Sequence, residues 1–121
     1  MADVYTADFS ARLQLKKNSG VIIRDVIHQP DEKVMTQEAG QAGLSIAAMS
    51  SATLGQGSIS TVRNFMLITD QPVTVKFNGS ANGIVVNADG CLAYFNATIT
   101  AIVVENNHAT NVATVEYGLS D

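Results

Sequence analysis

The residues that could act as nucleophiles or metal ligands are few in this 121-residue sequence, and they lie far apart. Cys91 is the single cysteine, and His28 and His108 are the two histidines. A catalytic thiol needs a histidine partner, and zinc needs several Cys, His or acidic ligands at short spacing. Neither histidine has such a setting, so we predict no catalytic and no metal-binding residue. We expect Cys91 to be a small buried hydrophobic residue.

The acidic residues are typical of turns rather than of a catalytic pair. Asp31 and Glu32 are adjacent, so in a turn their side chains point apart instead of converging in a cleft. Asp70 opens a predicted turn, where its carboxylate can accept a backbone N–H. Asp89 lacks the further oxygen ligands that Ca²⁺ requires. We therefore predict turn residues at these positions.

Two further patterns also fall short of a binding site. The glycine-rich segments 40–43 and 55–57 lack the lysine and the strand-to-helix setting of a phosphate-binding loop. Tyr5, Tyr94 and Tyr117 are too dispersed for a sugar-stacking platform, and the chain has no tryptophan. We expect these tyrosines to pack in the core or at its rim. The sequence thus predicts a protein that is not an enzyme and takes no cofactor.

Charge and hydrophobicity exclude several classes of partner. The formal net charge is −4, and Lys16-Lys17 is the only basic pair, whereas nucleic-acid binding needs clustered Lys and Arg. The longest apolar runs, 21–23 and 102–104, are far shorter than the roughly 20 residues of a membrane-spanning helix. We predict neither nucleic acid nor membrane as a partner, and no signal peptide, because the first residues lack a basic region. Only 15% of the residues are charged, and such a surface favours association with other subunits.

The N-terminal part predicts a β-hairpin. Residues 9–16 alternate apolar and polar side chains with a period of two, as in a half-buried strand. Residues 18–20, Asn-Ser-Gly, form a turn signal, and residues 21–27 are rich in β-branched side chains. Pro30 ends this second strand, because it lacks a backbone donor.

The segment 31–57 gives the weakest signal. Residues 33–38 suit one helical turn or a short strand. Residues 39–57 contain four glycines, several other small residues and no charged residue, with weak alternation around Leu44 and Ile46. We favour a loop or arm that lies across a neighbouring subunit, with a strand or a helix over part of it as alternatives.

The C-terminal half predicts a series of strands joined by polar turns. The predicted strands are 59–69, 73–77, 84–86, 91–95, 97–104 and 112–117. Asn78-Gly79 marks a turn in which both residues tolerate positive φ. Residues 105–111 are a polar hairpin loop, after which 112–117 pairs back as the last strand. Turn signals every 8–14 residues are typical of an antiparallel sandwich or jelly roll.

These elements combine into an all-β fold. We predict a single β domain over 1–121, an antiparallel β-sandwich or jelly roll with an N-terminal hairpin and a small-residue arm or loop. Its parts are N-terminal strands in 1–30, the loop or arm in 31–57 and the sandwich core in 58–119. A chain of this size supports one hydrophobic core but not two independent domains.

Two segments resemble a known group of proteins. Residues 63–86, RNFMLITDQPVTVKFNGSANGIVV, and 99–119, ITAIVVENNHATNVATVEYGL, are similar to small all-β virion proteins of tailed bacteriophages. The shared pattern is a strand, Asp-x-Pro-Val, a strand, Asn-Gly and a strand, followed by an Asn- and Thr-rich closing hairpin. It covers about half of the chain, roughly 58–119, and contains no catalytic motif. The resemblance implies a virion location and a β-sandwich that decorates or cements the capsid shell, or that lies in the neck or tail.

We therefore expect a structural protein of a phage particle, made in the host cytoplasm. The first hypothesis is a capsid cement or decoration protein that forms homo-oligomers and contacts the major capsid protein or other virion proteins. A neck or tail component is the variant within this class. A jelly-roll module that binds glycans is the alternative from another class, and it requires exposed aromatic rings on one sheet face. A small hydrolase has no candidate residues.

Overall fold

The computed structural model describes residues 5–30, 33–35 and 37–121. These residues form twelve β-strands and no helix, so the predicted all-β class is confirmed. The chain divides into two compact units, 1–35 and 36–121. The predicted turn residues Asp31 and Glu32 lie outside the described residues.

The first unit contains two short antiparallel pairs. Strand β1 (Tyr5–Ala7) pairs with β4 (Lys33–Met35), and β2 (Ala11–Lys16) pairs with β3 (Ile22–His28). The β2–β3 turn is closed by the Gly20 N–H, which donates to the Lys17 carbonyl oxygen at 2.8 Å, and Gly20 has a φ of 90°. The predicted N-terminal hairpin is therefore confirmed.

The second unit consists of two four-stranded antiparallel sheets. Sheet 1 has the strand order β10–β7–β12–β5, and sheet 2 has the order β6–β11–β8–β9. The strands are β5 (Glu38–Ile46), β6 (Ser50–Thr53), β7 (Asn64–Thr69), β8 (Val73–Phe77), β9 (Ile84–Val86), β10 (Cys91–Tyr94), β11 (Ile102–Asn106) and β12 (Ala113–Ser120).

The core lies between these sheets, as in a β-sandwich. Phe65 and Leu67 of sheet 1 are 1% and 0% exposed and belong to the same buried cluster as Val75, Ile102 and Val104 of sheet 2. Along β7 and β12, buried residues alternate with exposed ones. A strand's side chains point alternately to its two faces, so each strand supplies one face to the core. The predicted antiparallel sandwich is confirmed.

Strand pairing in the second unit is nested. Strand β8 pairs with β9, β7 with β10, β6 with β11 and β5 with β12. The chain thus forms one long double-stranded ribbon whose tip lies between β8 and β9. Asn78 and Gly79 begin this tip with φ values of 57° and 73°, as predicted, and the Ser80 N–H donates to the Phe77 carbonyl oxygen at 3.0 Å.

The loop or arm predicted for 39–57 is wrong, and the strand alternative is correct. Strands β5 and β6 fill most of this segment and form one edge of each sheet. Ile46 and Leu54 are each 2% exposed and belong to the core. The small residues of β5 allow β12 to approach closely, since a Cβ atom on Gly40 would lie 2.6 Å from the Tyr117 carbonyl oxygen. The sandwich accordingly begins near Glu38 rather than at residue 58.

The closing hairpin predicted around 105–111 is also wrong. Strands β11 and β12 belong to different sheets, because β11 pairs with β6 and β8, whereas β12 pairs with β5 and β7. The polar segment between them therefore crosses from one sheet to the other. Two predicted strands are also shorter than expected, since β7 begins at Asn64 and β11 at Ile102. The nearby residues Val62 and Ile99 form an isolated bridge.

Gly40 and Gly118 provide a matched test of the β5–β12 contact, because they face each other in the register. We expect Gly40→Ala to cost about 2 kcal/mol or more, since the new Cβ meets a backbone oxygen that cannot move aside alone. A Cβ on Gly118 meets nothing within 4 Å, so Gly118→Ala should leave stability unchanged or raise it by up to about 1 kcal/mol. Urea unfolding monitored by circular dichroism measures both, and equal effects would contradict the proposed crowding.

Candidate interaction surfaces

Cys91 is exposed, so its predicted burial is wrong. It is the first residue of β10 and lies opposite Ile68 of β7. Ile68 is 43% exposed, and this register places Cys91 on the same outward face of sheet 1. A small apolar residue in a strand has no intrinsic preference between the two faces, and the register alone decides which face it occupies.

His108 and Asp70 shape turns rather than a reactive site. The His108 Nδ1 atom accepts the backbone N–H groups of Thr110 at 3.1 Å and Asn111 at 2.9 Å. An Asp70 carboxylate oxygen accepts the Thr114 backbone N–H at 2.7 Å, which confirms the predicted acceptor role. The donor is 44 residues away in the sequence, so this hydrogen bond links the turn at Asp70 to β12. Among the described residues, no three His, Cys, Asp or Glu side chains are grouped as a metal site would require.

The described tyrosines do not share an exposed face. Tyr117 is 7% exposed, and its hydroxyl donates to the Gly55 carbonyl oxygen at 3.1 Å. Tyr94 is 40% exposed and packs edge-on against Phe77, with ring centroids 5.3 Å apart. The side chain of Tyr5 lies outside the described residues. His28, the other histidine, is the last residue of β3 and lies opposite Ala11.

The outward face of sheet 1 presents an apolar surface beside an acidic side chain. Ile68 and Met66 are 43% and 47% exposed although β7 is an interior strand of the sheet. On β12, Glu116 lies directly opposite Ile68, and Gly118 lies opposite Met66. We call these four residues, together with Cys91, the sheet-1 surface. Residues 65–68 are all apolar, so both faces of β7 are apolar, and the described residues leave the outer face exposed.

Two shallow depressions lie on this surface. One, of about 440 Å³, is lined by Ile68, Cys91 and Glu116 and by two further acids, Asp70 and Asp89. The other, of about 280 Å³, is lined by Met66, Ile68, Glu116, Tyr117 and Gly118. None of the described lining residues is basic. The surface therefore combines apolar contact area with negative charge.

The β2–β3 hairpin presents a second exposed apolar surface. Its large apolar side chains are all 44–58% exposed, and they are Leu13, Leu15, Val21, Ile22, Ile23, Val26 and Ile27. Leu13 lies opposite Val26, and Leu15 lies opposite Arg24, so these four side chains share one face. We call them the hairpin surface. A two-stranded hairpin is at best marginally stable alone in water, and contiguous exposed apolar area marks interaction sites.

The opposite face of the hairpin contains an ion pair in which each charge neutralises the other. The Arg12 guanidinium donates two hydrogen bonds to the Asp25 carboxylate, at 3.0 and 2.7 Å. These hydrogen bonds are the main cause of two shifts: the pKa of Asp25 is lowered and the pKa of Arg12 is raised. Arg24 has no ion pair among the described residues. Within the described part of the chain, the Arg24 charge therefore stands uncompensated beside Leu15.

The two surfaces differ in charge. Residues 11–28 contain Arg12, Lys16, Lys17 and Arg24 against Asp25, a formal net charge of +3. Residues 36–121 contain six acidic and two basic residues, a formal net charge of −4. The sequence alone shows this asymmetry, but it does not show that the apolar side chains of both parts stay exposed. No described helix is long and apolar enough to cross a lipid bilayer.

Cys91 provides a direct test of the sheet-1 surface. We expect its thiol to react with a small disulfide reagent in the folded chain at a rate close to that in urea, because it is solvent-exposed. The measurement is the absorbance of the released thiolate in native buffer and in denaturant. A reaction that is more than about a hundredfold slower in the native protein would contradict this placement, since it would indicate a thiol reached only by unfolding.

Comparison with known proteins does not assign the chain to a family. No protein-family model matches it, and no curated protein is significantly similar to it.

Proposed function

We propose that this chain is a non-enzymatic structural protein of a bacteriophage particle, and that it acts as a capsid cement or decoration protein. In this role it stabilises the shell through contacts with the major capsid protein and with other copies of itself. The observation that carries the proposal is the pair of exposed apolar surfaces, on the hairpin and on sheet 1. Proteins that work by association need such surfaces, because burial of apolar area is the main favourable term in assembly.

The strand pairing supports the same proposal. Eight strands, paired as a nested ribbon and divided between two four-stranded sheets, fit the jelly-roll interpretation. Jelly rolls occur in viral capsid domains and in lectins, so this support is an analogy at the level of fold. The resemblance of residues 63–86 and 99–119 to small phage virion proteins favours the capsid over the lectin. The described tyrosines add nothing to a glycan-binding hypothesis, since Tyr117 is buried and Tyr94 packs on Phe77.

Particle composition tests the proposal. Phage particles induced from a host that carries the gene should be purified and analysed by quantitative mass spectrometry for this 12.8 kDa chain. We expect tens to hundreds of copies per particle, as a shell protein requires. A copy number near six or twelve would place the protein in the neck or tail instead. Absence from mature particles would overturn the virion assignment.

A further inference from the structure

We propose that the hairpin surface of one copy docks on the sheet-1 surface of a second copy. This contact gives the proposed assembly protein a partner, namely a second copy of the chain. Its biological meaning therefore rests on the proposed function. The contact joins two different patches, so it is head-to-tail. Repetition of such a contact produces a ring if the rotation closes.

The first argument is the match of side-chain pairs. On the hairpin, an apolar residue and a cation stand side by side, Leu15 opposite Arg24. On sheet 1, an apolar residue and an anion stand side by side, Ile68 opposite Glu116. Directly opposite residues of antiparallel strands have Cβ atoms about 5 Å apart in both cases. Face-to-face packing therefore places Leu15 on Ile68 and Arg24 near Glu116 at the same time.

The second argument is shape. The pairs Leu15–Arg24 and Ile68–Glu116 are of the same hydrogen-bonded type, so they superpose face to face only when β2 of one copy runs antiparallel to β7 of the other. The next apolar pair of the hairpin, Leu13 and Val26, then lies over the depression of about 440 Å³ beside Ile68. This depression has room for a hairpin side chain.

The third argument is charge. The hairpin is the basic part of the chain, at +3 for residues 11–28, whereas residues 36–121 carry −4. Of the acids lining the sheet-1 depressions, Glu116 lies opposite Ile68, and Asp70 and Asp89 lie farther out. Opposite charges at the edge of an apolar contact steer association and fix its orientation. A second copy supplies this complement without any other partner.

Charge reversal on each surface tests the contact in the purified full-length chain. We expect the wild-type chain to self-associate in sedimentation velocity, with an affinity that falls as salt is raised. Arg24→Glu and Glu116→Lys should each raise the dissociation constant by about tenfold or more, because each opposes two like charges. Lys16→Glu and Glu105→Lys make the same charge changes on the opposite face of the hairpin and in sheet 2, so they alter net charge alone and should raise the dissociation constant by clearly less than the two surface variants.

Mixing the two reversed variants is the decisive step. The hairpin of Arg24→Glu fits the sheet-1 surface of Glu116→Lys, and the two unchanged surfaces also fit each other. An equimolar mixture should therefore associate more tightly than either variant alone, through alternating contacts between the two variants. Thiol reactivity of Cys91, on the same face, should fall as association proceeds.

Three results would overturn the inference. They are a wild-type chain that stays monomeric at all concentrations, a Glu116→Lys variant that associates normally, and a mixture that associates no more tightly than either variant alone. Normal association of Glu116→Lys with loss in Arg24→Glu would indicate hairpin-to-hairpin pairing instead. These measurements use no phage particles, so their failure is separate from the absence of the chain from virions.

Discussion

Deletion of residues 39–57 is expected to abolish cooperative folding of the 36–121 unit. The deletion removes β5 and β6, one edge strand from each sheet, and with them the backbone pairing of β12 and β11 on that side. It also removes the buried side chains of Ile46 and Leu54. Loss of one buried Ile or Leu costs roughly 2–5 kcal/mol, and a domain of this size is stable by only about 5–15 kcal/mol. Thermal denaturation followed by circular dichroism should therefore show no sigmoidal transition.

Deletion of residues 1–35 is the matched control. It removes more residues, but every member of the core cluster lies between Ile46 and Leu119. We expect this variant to keep a cooperative transition and dispersed amide signals in NMR spectra. A cooperative transition in the 39–57 deletion would contradict the strand assignment and restore the hypothesis of a dispensable arm.

The sequence pattern of β5 explains why a strand was only an alternative prediction for this segment. A register shift opposite Val115 and Tyr117 places an extra residue in β5. Before the shift, Ala39 pairs with Leu119, and after it, Leu44 pairs with Val115. The residues on the core face therefore change from odd to even numbers within one strand. A bulge of this kind breaks the period of two from which a strand is recognised.

Local signals predicted the strands better than their partners. The alternation in 73–77 and the Asn78-Gly79 turn were sufficient for β8 and for the tip of the ribbon. The pairing of β12 depends instead on β5 and β7, which are remote in sequence. A polar loop between two strands is compatible with a hairpin and with a crossover between sheets. Only the buried faces of β11 and β12, packed against each other across the core, distinguish the two.

The candidate surfaces could be predicted only in part. The sequence shows that β2 alternates and that β7 is apolar on both faces, which correctly locates Leu13, Leu15, Met66 and Ile68 on strands. It predicts burial of one hairpin face, whereas the described chain leaves these side chains exposed. Burial depends on what covers a strand, and a strand's own sequence does not contain that information. An apolar residue left exposed within one chain is consistent with a cover supplied by another.

Replacement of Asn106 is expected to cause the largest loss of stability from a single side chain that lies outside the apolar core. Asn106 is 0% exposed at the end of β11 in sheet 2. Its amide nitrogen donates to the carbonyl oxygens of Ile46 at 3.0 Å and Asn111 at 2.8 Å, and its amide oxygen accepts the His108 N–H at 3.1 Å. One side chain thus joins sheet 2 to the end of β5 and to the loop that leads into β12.

We expect Asn106→Ala to lower the free energy of unfolding by about 2–3 kcal/mol, because it removes one buried and two part-buried hydrogen bonds and leaves the Ile46 carbonyl group without this partner in the interior. For a unit of this size, that loss lowers the melting temperature by roughly 10–25 °C. Asn106→Asp keeps the shape of the side chain but replaces the donor by an anionic oxygen facing two carbonyl oxygens. At neutral pH it should be at least as destabilising as alanine, which separates the lost hydrogen bonds from the lost volume. The exposed neighbour provides the control, since Asn107→Ala should change stability by less than about 0.5 kcal/mol. Equal melting temperatures for the two alanine variants would show that the bridge between the sheets does not depend on Asn106.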